Sequence, residues 1–297
     1  MRYLCRIVII AMKRIALTLI SLIAWAVLVP ATLGAQVKLS TKKVRISDFS
    51  SRTTKVVLCG NDMEDSCLKA EVTARWRISP FEFCNVNEFN ALKQDPQTYF
   101  LMMERPVGGK FDGLVTLSLF KGGNSSAEDQ SKRPLNILSI PVCSALNPNG
   151  REMVYLSAFL DIMQDFVGKA LLSDRDAYCG LEVYRNNLRK AGGKKIYFAQ
   201  EDLAPDTQVR STGGNMLVLD SDSVDGAFHS GHYDTLVSVM VAPSEAKKGS
   251  WSHQMLIDTE SHELLYYSHH RISERKGAGF TNKDIKRISA SSKKKRK

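Results

Sequence analysis

The chain has 297 residues and a formal charge of +10, with 43% hydrophobic and 24% charged residues. That composition excludes wholesale disorder and suits a short leader followed by one large domain, or two small ones that share a core. The charge sits at the ends: Arg2, Arg6, Lys13 and Arg14 face no acid in residues 1–35, residues 283–297 hold eight cations against Asp284, and residues 36–282 are close to neutral. A nucleic-acid partner is therefore disfavoured, because such binding needs its cations as a patch on the fold.

From Met12, "MKRIALTLISLIAWAVLVPATLGAQ" opens on Lys13 and Arg14 and runs uncharged from Ile15 to Val29. Pro30 and the small residues around Gly34 and Ala35 follow. A charged start, a short apolar run, a breaker and small residues make an export signal, and the run is short for a membrane span. Residues 1–35 are thus expected to be a signal peptide, or an anchor if uncleaved, and Met12 is an alternative start. No cysteine follows the cut to carry a lipid. The expected location is periplasmic or secreted. Beyond the leader, Cys59, Cys67, Cys84, Cys143 and Cys179 cannot all pair, and none lies in a CxxC. Free buried thiols are the expectation, with a Cys59–Cys84 disulfide as the alternative.

In chain order, "TKVVLCG" (54–60) reads as a strand, and Asn61 caps a helix reaching Trp76, with Glu64 placed as in a capping box. "ISPFEFCN" is a strand whose Pro80 places it at an edge or marks an early position. "VNEFNALKQDP" is a short helix ended by Pro96. "TYFLMMER", "GLVTLSLFKG" and "LNILSIPVC" are strands, the last two joined by the polar loop "KGGNSSAEDQSKRP". Residues 151–172 form the clearest helix, with Leu156, Phe159, Leu160, Met163, Phe166, Val167 and Ala170 at helical spacing and Asp161, Asp165 and Lys169 opposite. A second helix is expected over 175–191, ended by Gly192-Gly193. "KIYFA", "NMLVLD", "TLVSVMVAP", "SHQMLID" and "ELLYYSHH" follow as strands, the last two a hairpin across "DTESHE". No internal repeat is visible. The order predicts one α/β domain over 36–282, a mixed sheet flanked by helices, and a disordered basic tail over 283–297.

All six histidines lie between His229 and His270. His229, His232 and Asp234 could supply three ligands to a zinc ion with one position open, the basis of a metal-dependent hydrolase. The "HSGHYD" spacing lacks the i, i+4 histidines and intervening glutamate of a zincin helix. "DSDSVDG" from Asp220 fails as a calcium loop, with Val224 and Asp225 at its fifth and sixth positions and Gly231 at its twelfth. It reads as a polar turn. His262 sits in the hairpin turn, where a residue tolerant of positive φ suffices. His269 and His270 point to opposite faces of a strand, and His253 starts a strand as a solvated residue. No GxSxG, P-loop or GxGxxG is present, so no nucleophile or nucleotide cradle stands out. The terminal Lys293, Lys294, Lys295, Arg296 and Lys297 suit an anionic membrane or polysaccharide surface.

"RWRISPFEFCNVNEFNALKQDPQTYFL" and "GSWSHQMLIDTESHELLYYSHHRIS" resemble a group of exported α/β proteins of Bacteroidota. More distantly, the arrangement is similar to the envelope domain family of the curli-secretion lipoprotein and the activators of penicillin-binding proteins. There an early strand-helix-strand unit precedes a hairpin of the form "LIDTKTGE", which here reads "LIDTESHE" over 256–263. His262 replaces the glycine, and the lipidation cysteine is missing. The resemblance implies a non-catalytic role in the cell envelope, binding a protein partner, and transfers no catalytic residue. The expected function is thus an envelope interaction or accessory protein without cofactor. The zinc hydrolase of His229 and His232 is the alternative.

Overall fold

The computed structural model describes residues 41–123, 134–209 and 214–292. The expected signal peptide, the interior of the glycine- and serine-rich loop and the last five cations lie outside the described residues. The fold is α/β, as expected, but it is built on two mixed five-stranded sheets. In the first, β1 (Thr54–Leu58) is flanked by β2 (Phe81–Asn85) and β3 (Tyr99–Glu104), both parallel to it; β4 (Leu114–Lys121) and β5 (Leu135–Ser144) then add antiparallel. In the second, β6 (Lys195–Ala199) lies between parallel β7 (Met216–Leu219) and β8 (Thr235–Val241), and β9 (Trp251–Asp258) and β10 (Leu264–Arg271) add antiparallel.

These are two copies of one plan. Chain order and strand direction agree at every step, and the pairing of first strand with third opens alike, Thr54 with Tyr99 and Lys195 with Thr235. The absence of a visible repeat in the sequence concealed a duplication of topology. Strand alternation needs only apolar residues in register, so two copies can share a plan without sharing side chains.

Local signals explain the helices. Asn61 accepts from the amides of Met63 and Glu64 to start α1 (Asp62–Arg75), and Asn85 with Glu88 forms a full capping box on α2 (Val86–Leu92). Ten of the seventeen residues of α3 (Leu156–Leu172) are buried, which makes it a central helix rather than a surface one. The helix expected over 175–191 is broken. After α4 (Asp174–Cys179), Gly180 takes φ 57° and short 3-10 turns carry the chain on. The polar turn expected at 220–226 is also corrected. Asp220 caps the amide of Ser223 at 2.8 Å, and α5 (Ser221–His229) buries Val224 and Phe228 one turn apart. The segment expected to open a disordered tail is helix α6 (Asn282–Ser292). Thr281 and Asp284 cap it reciprocally, and Ile285 and Ile288 anchor it.

The layers follow from strand alternation. Val57, Phe100 and Phe120 face outward from the first sheet under Phe89 of α2. Val56, Leu101 and Leu117 face inward onto α1 and α3. The same inner cluster contains Val237, Val239 and Ile257 of the second sheet and the buried residues of α5. Ile196, Phe198 and Leu256 face the other way, onto Phe280 and α6. The first copy thus meets the second through its first crossover helix and α3, while the second presents its second crossover helix. Unlike faces meet. Among the described residues no helix is long and apolar enough to cross a membrane.

A single helical turn, Arg151–Val154, leads into α3 and locks the copies together. The Arg151 guanidinium donates from Nη1 to Asp202 Oδ1 at 2.9 Å, and from Nε and Nη2 to Asp225 at 2.9–3.1 Å. Tyr155 donates to Asp225 at 2.6 Å, and Ser238 Oγ donates to Asp202 Oδ2 at 2.5 Å. Burial pushes the Asp202 carboxyl up to about 6, against the pull of Arg151, so the pair is ionised at neutral pH.

Asp202 is tied in turn to the approach to α6. Phe280 donates to Asp202 O, Ala204 donates to Phe280 O, and Gly279 has φ 111°. A Cβ there would stand 2.5 Å from Asp202 O and 2.6 Å from Ala204 N, whereas Gly249, at φ 96°, faces open space. Gly279→Ala should therefore cost about 2–4 kcal/mol, from backbone strain plus overlap, and Gly249→Ala about 1–2 kcal/mol from strain alone. Urea denaturation of both variants measures the difference, and equal losses would refute the close approach.

Candidate functional site

Around the Arg151–Val154 turn the two copies leave an open cleft of about 600 Å³. Glu71 and Arg75 of α1, Ser157 of α3, Asp225, Phe228 and His229 of α5, and His262 from the β9–β10 turn line it. Clefts between packed units are common ligand sites, because neither unit fills the gap alone.

Two polar groups of this cleft, Arg75 and His262, are held by one carboxylate. Asp161 Oδ2 lies 2.8 Å from Arg75 Nη1 and 2.7 Å from His262 Nδ1, and Arg75 Nε reaches Glu71 at 3.0 Å. His262 holds φ 57°, as its turn position predicts, and its ring stacks on Phe228 at 5.0 Å. A carboxylate bonded to Nδ1 sets the orientation of an imidazole and leaves Nε2 for a ligand or water. Ser157 lines the same cleft one turn before Asp161, without a hydrogen bond to His262. The arrangement presents acid, guanidinium and imidazole side by side, on walls contributed by both copies.

The three candidate zinc ligands, His229, His232 and Asp234, have different neighbours. His229 ends α5 and lines the cleft. His232 lies on the following turn with Nδ1 3.4 Å from both Tyr197 OH and Thr235 Oγ1. Asp234 is exposed at φ 54°, 4.0 Å from Lys194. Among the described residues no group of three or more His, Cys, Asp or Glu side chains is arranged to hold a metal ion. His269 and His270 do face opposite ways, His269 Nδ1 to Glu182 at 2.9 Å and His270 Nε2 to Gly277 O at 3.0 Å. The bond to His269 holds the Glu182 carboxyl below its usual range.

His253 corrects the sequence reading. Far from being solvated, it is fully buried, between Tyr267 OH and the Lys110 carbonyl at 2.9 Å each, with Phe111 stacked on its ring. Its strand lies inside the second sheet, between β8 and β10, and is covered on both faces, so polar residues there signal internal hydrogen bonds. The five described cysteines are free, with Cys84 and Cys143 buried and Cys59 exposed. Arg75, Glu71, Asp161 and Asp225 were not foreseen as site residues. Arg75 and Asp161 are 86 positions apart, and Asp161 and His262 are 101 apart, so no local spacing could announce them.

No family model, curated protein or solved structure matches the chain. The reading of function therefore rests on the site itself.

Burial pushes His253 down to about 3, so its neutral form belongs to the native state. Below about pH 6.5 the unfolded chain's imidazole takes a proton that the buried ring refuses until about pH 3. Stability should fall with acid across that window, by up to about 1.4 kcal/mol per pH unit from this residue. Denaturant titrations from pH 7 to pH 4 should show a shallower fall in His253→Phe, even though that variant is less stable throughout. An unchanged slope would contradict the assignment.

Proposed function

We propose that this is an exported protein of the cell envelope, without chemistry of its own, that binds a partner protein through the cleft between its two copies. The observation that supports this reading most is the Asp161 cluster. One carboxylate orders Arg75 and His262, from different copies, at the wall of an open cleft. Groups held in place before binding lose less side-chain freedom on association, which suits recognition of a polar partner surface. The export signal read in residues 1–35 supports the envelope as the location, periplasmic or secreted. The terminal cations Lys293–Lys297 would add attraction to an anionic membrane or polysaccharide, weakening with salt.

A photo-activated crosslinker placed at Glu71, inside the cleft, tests this in cells. A discrete crosslinked protein is expected from that position, absent when the crosslinker replaces Leu172, which is exposed at the far end of α3. Arg75→Ala should abolish the adduct. Equal adducts from both positions, or an unprocessed chain retained in the cytoplasm, would refute the proposal.

A further inference from the structure

Three large apolar side chains, Val44, Leu172 and Tyr178, are each more than half exposed at one corner of the protein. They come from the helical turn Lys42–Arg45, the last residue of α3, and α4. Direct contacts join these pieces. Lys43 N donates to Asp174 Oδ1 at 3.0 Å, and Lys43 Nζ donates to Leu172 O at 3.3 Å. Lys42 Nζ donates to Ile137 O at 2.9 Å and lies 6.0 Å from the centre of the Tyr178 ring. A single exposed apolar residue is ordinary, but several that share one corner mark a contact surface.

Cations surround these tips. Lys42, Lys43, Arg45 and Arg175 stand against Asp174 and Asp176, a local excess of positive charge on a body that is close to neutral. Burial pushes Lys42 down to about 8, which leaves it a cation at neutral pH. The next acid along the chain, Asp48, is taken by Arg52 and Lys121. Arg175 is exposed, with no hydrogen bond or ion pair among the described residues.

The chain ahead of the corner points to what covers it. Only residues 36–40 separate Thr41 from the segment read as an export signal or anchor, whose run from Ile15 to Val29 is uncharged and apolar. Residues 30–40 reach at most about 40 Å when extended, so a leader held in a bilayer keeps this corner within that distance of lipid. Apolar tips with a tyrosine among them can enter the headgroup boundary, while lysine and arginine side chains reach the phosphates. The excess of cations complements an anionic surface.

We infer that this corner docks on the surface of an anionic phospholipid bilayer, separately from the terminal cations Lys293–Lys297. The inference rests on the envelope location proposed above. It leaves the cleft open to a partner, because Ser157 in the cleft and Leu172 at the corner stand about 22 Å apart along α3. The helix is then a spacer that holds the Asp161 cluster away from the membrane.

Photo-crosslinking of the full chain to lipid tests this. Vesicles of equimolar phosphatidylcholine and phosphatidylglycerol carry a photo-activated group on an acyl chain, and adducts are mapped peptide by peptide. Adducts are expected on the peptides that hold Val44 and Leu172–Tyr178, and not on the peptide that holds Val107. Val107 is almost fully exposed, but it follows the end of β3, whereas Ile137, the partner of Lys42, lies near the start of β5, at the opposite end of the first sheet. Phosphatidylcholine vesicles should give about tenfold less adduct at the corner. Arg175→Gln should lower the yield about fivefold, and Leu172→Ser combined with Tyr178→Ser about tenfold. These side chains are exposed, so the variants should keep the fold. No adduct at the corner, an equal yield at Val107 or on phosphatidylcholine alone, or corner yields unchanged by both variants overturns the inference. Adducts confined to the leader or the basic tail overturn it as well. The readout needs neither the partner protein nor export, so its failure is distinct from failure of the crosslink at Glu71.

Discussion

The structure depends on a charge that the fold has taken out of water. Arg151 stands between two copies of one α/β plan with its guanidinium shared by Asp202 and Asp225, and Asp202 is 1% exposed. Such a pair adds little net stability over a well-packed apolar substitute, but losing one partner leaves an uncompensated buried charge. The ion pair therefore acts chiefly as a register device. It specifies which face of the second copy meets the first, where a purely apolar layer of helices would tolerate slippage. Tyr155 and Ser238 complete the lone pairs, and Gly279 lets the approach to α6 close over Asp202.

That constraint also places the clefts. The Arg151–Val154 turn must reach into the second copy, so its neighbours Glu152 and Met153 are drawn to the carboxyl end of the first sheet. Val154 and the start of α3 are drawn to the gap beside α1 and α5. The cleft with the Asp161 cluster and a cavity beside Glu152 are thus two consequences of one contact. The cleft lies between the packed copies, and the cavity lies between the end of the first sheet and the turn.

Much of the fold was legible because local signals were strong. Asn61 and Asn85 announced helix starts, the apolar repeat from Leu156 to Ala170 announced α3, and the hairpin across residues 258–263 appears with His262 at positive φ. Where local signals conflicted, the reading failed. Gly226 made a capped helix look like a turn, and Gly180 broke what looked like one helix into short pieces. The duplication was hidden because its copies share strand order and direction, which leave no common residues to recognise. The histidines were the most misleading feature. Their closeness along the chain comes from one helix end, two turns and two strands, and folding sends the rings to different neighbours: His253 into the core, His262 to Asp161, His269 to Glu182. The site residues that do converge come from distant segments, and only the packing of α1, α3 and α5 brings them together.

The most direct test of the account is a double-mutant cycle between Arg151 and Asp202, using Arg151→Met, Asp202→Asn and the pair, with unfolding free energies from denaturant titration. A register-setting buried pair predicts that each single substitution is costly and that the double costs clearly less than their sum, with a coupling of about 2 kcal/mol or more. Additive losses, with a coupling near zero, would mean that the two copies are held by apolar packing alone and would contradict the central claim.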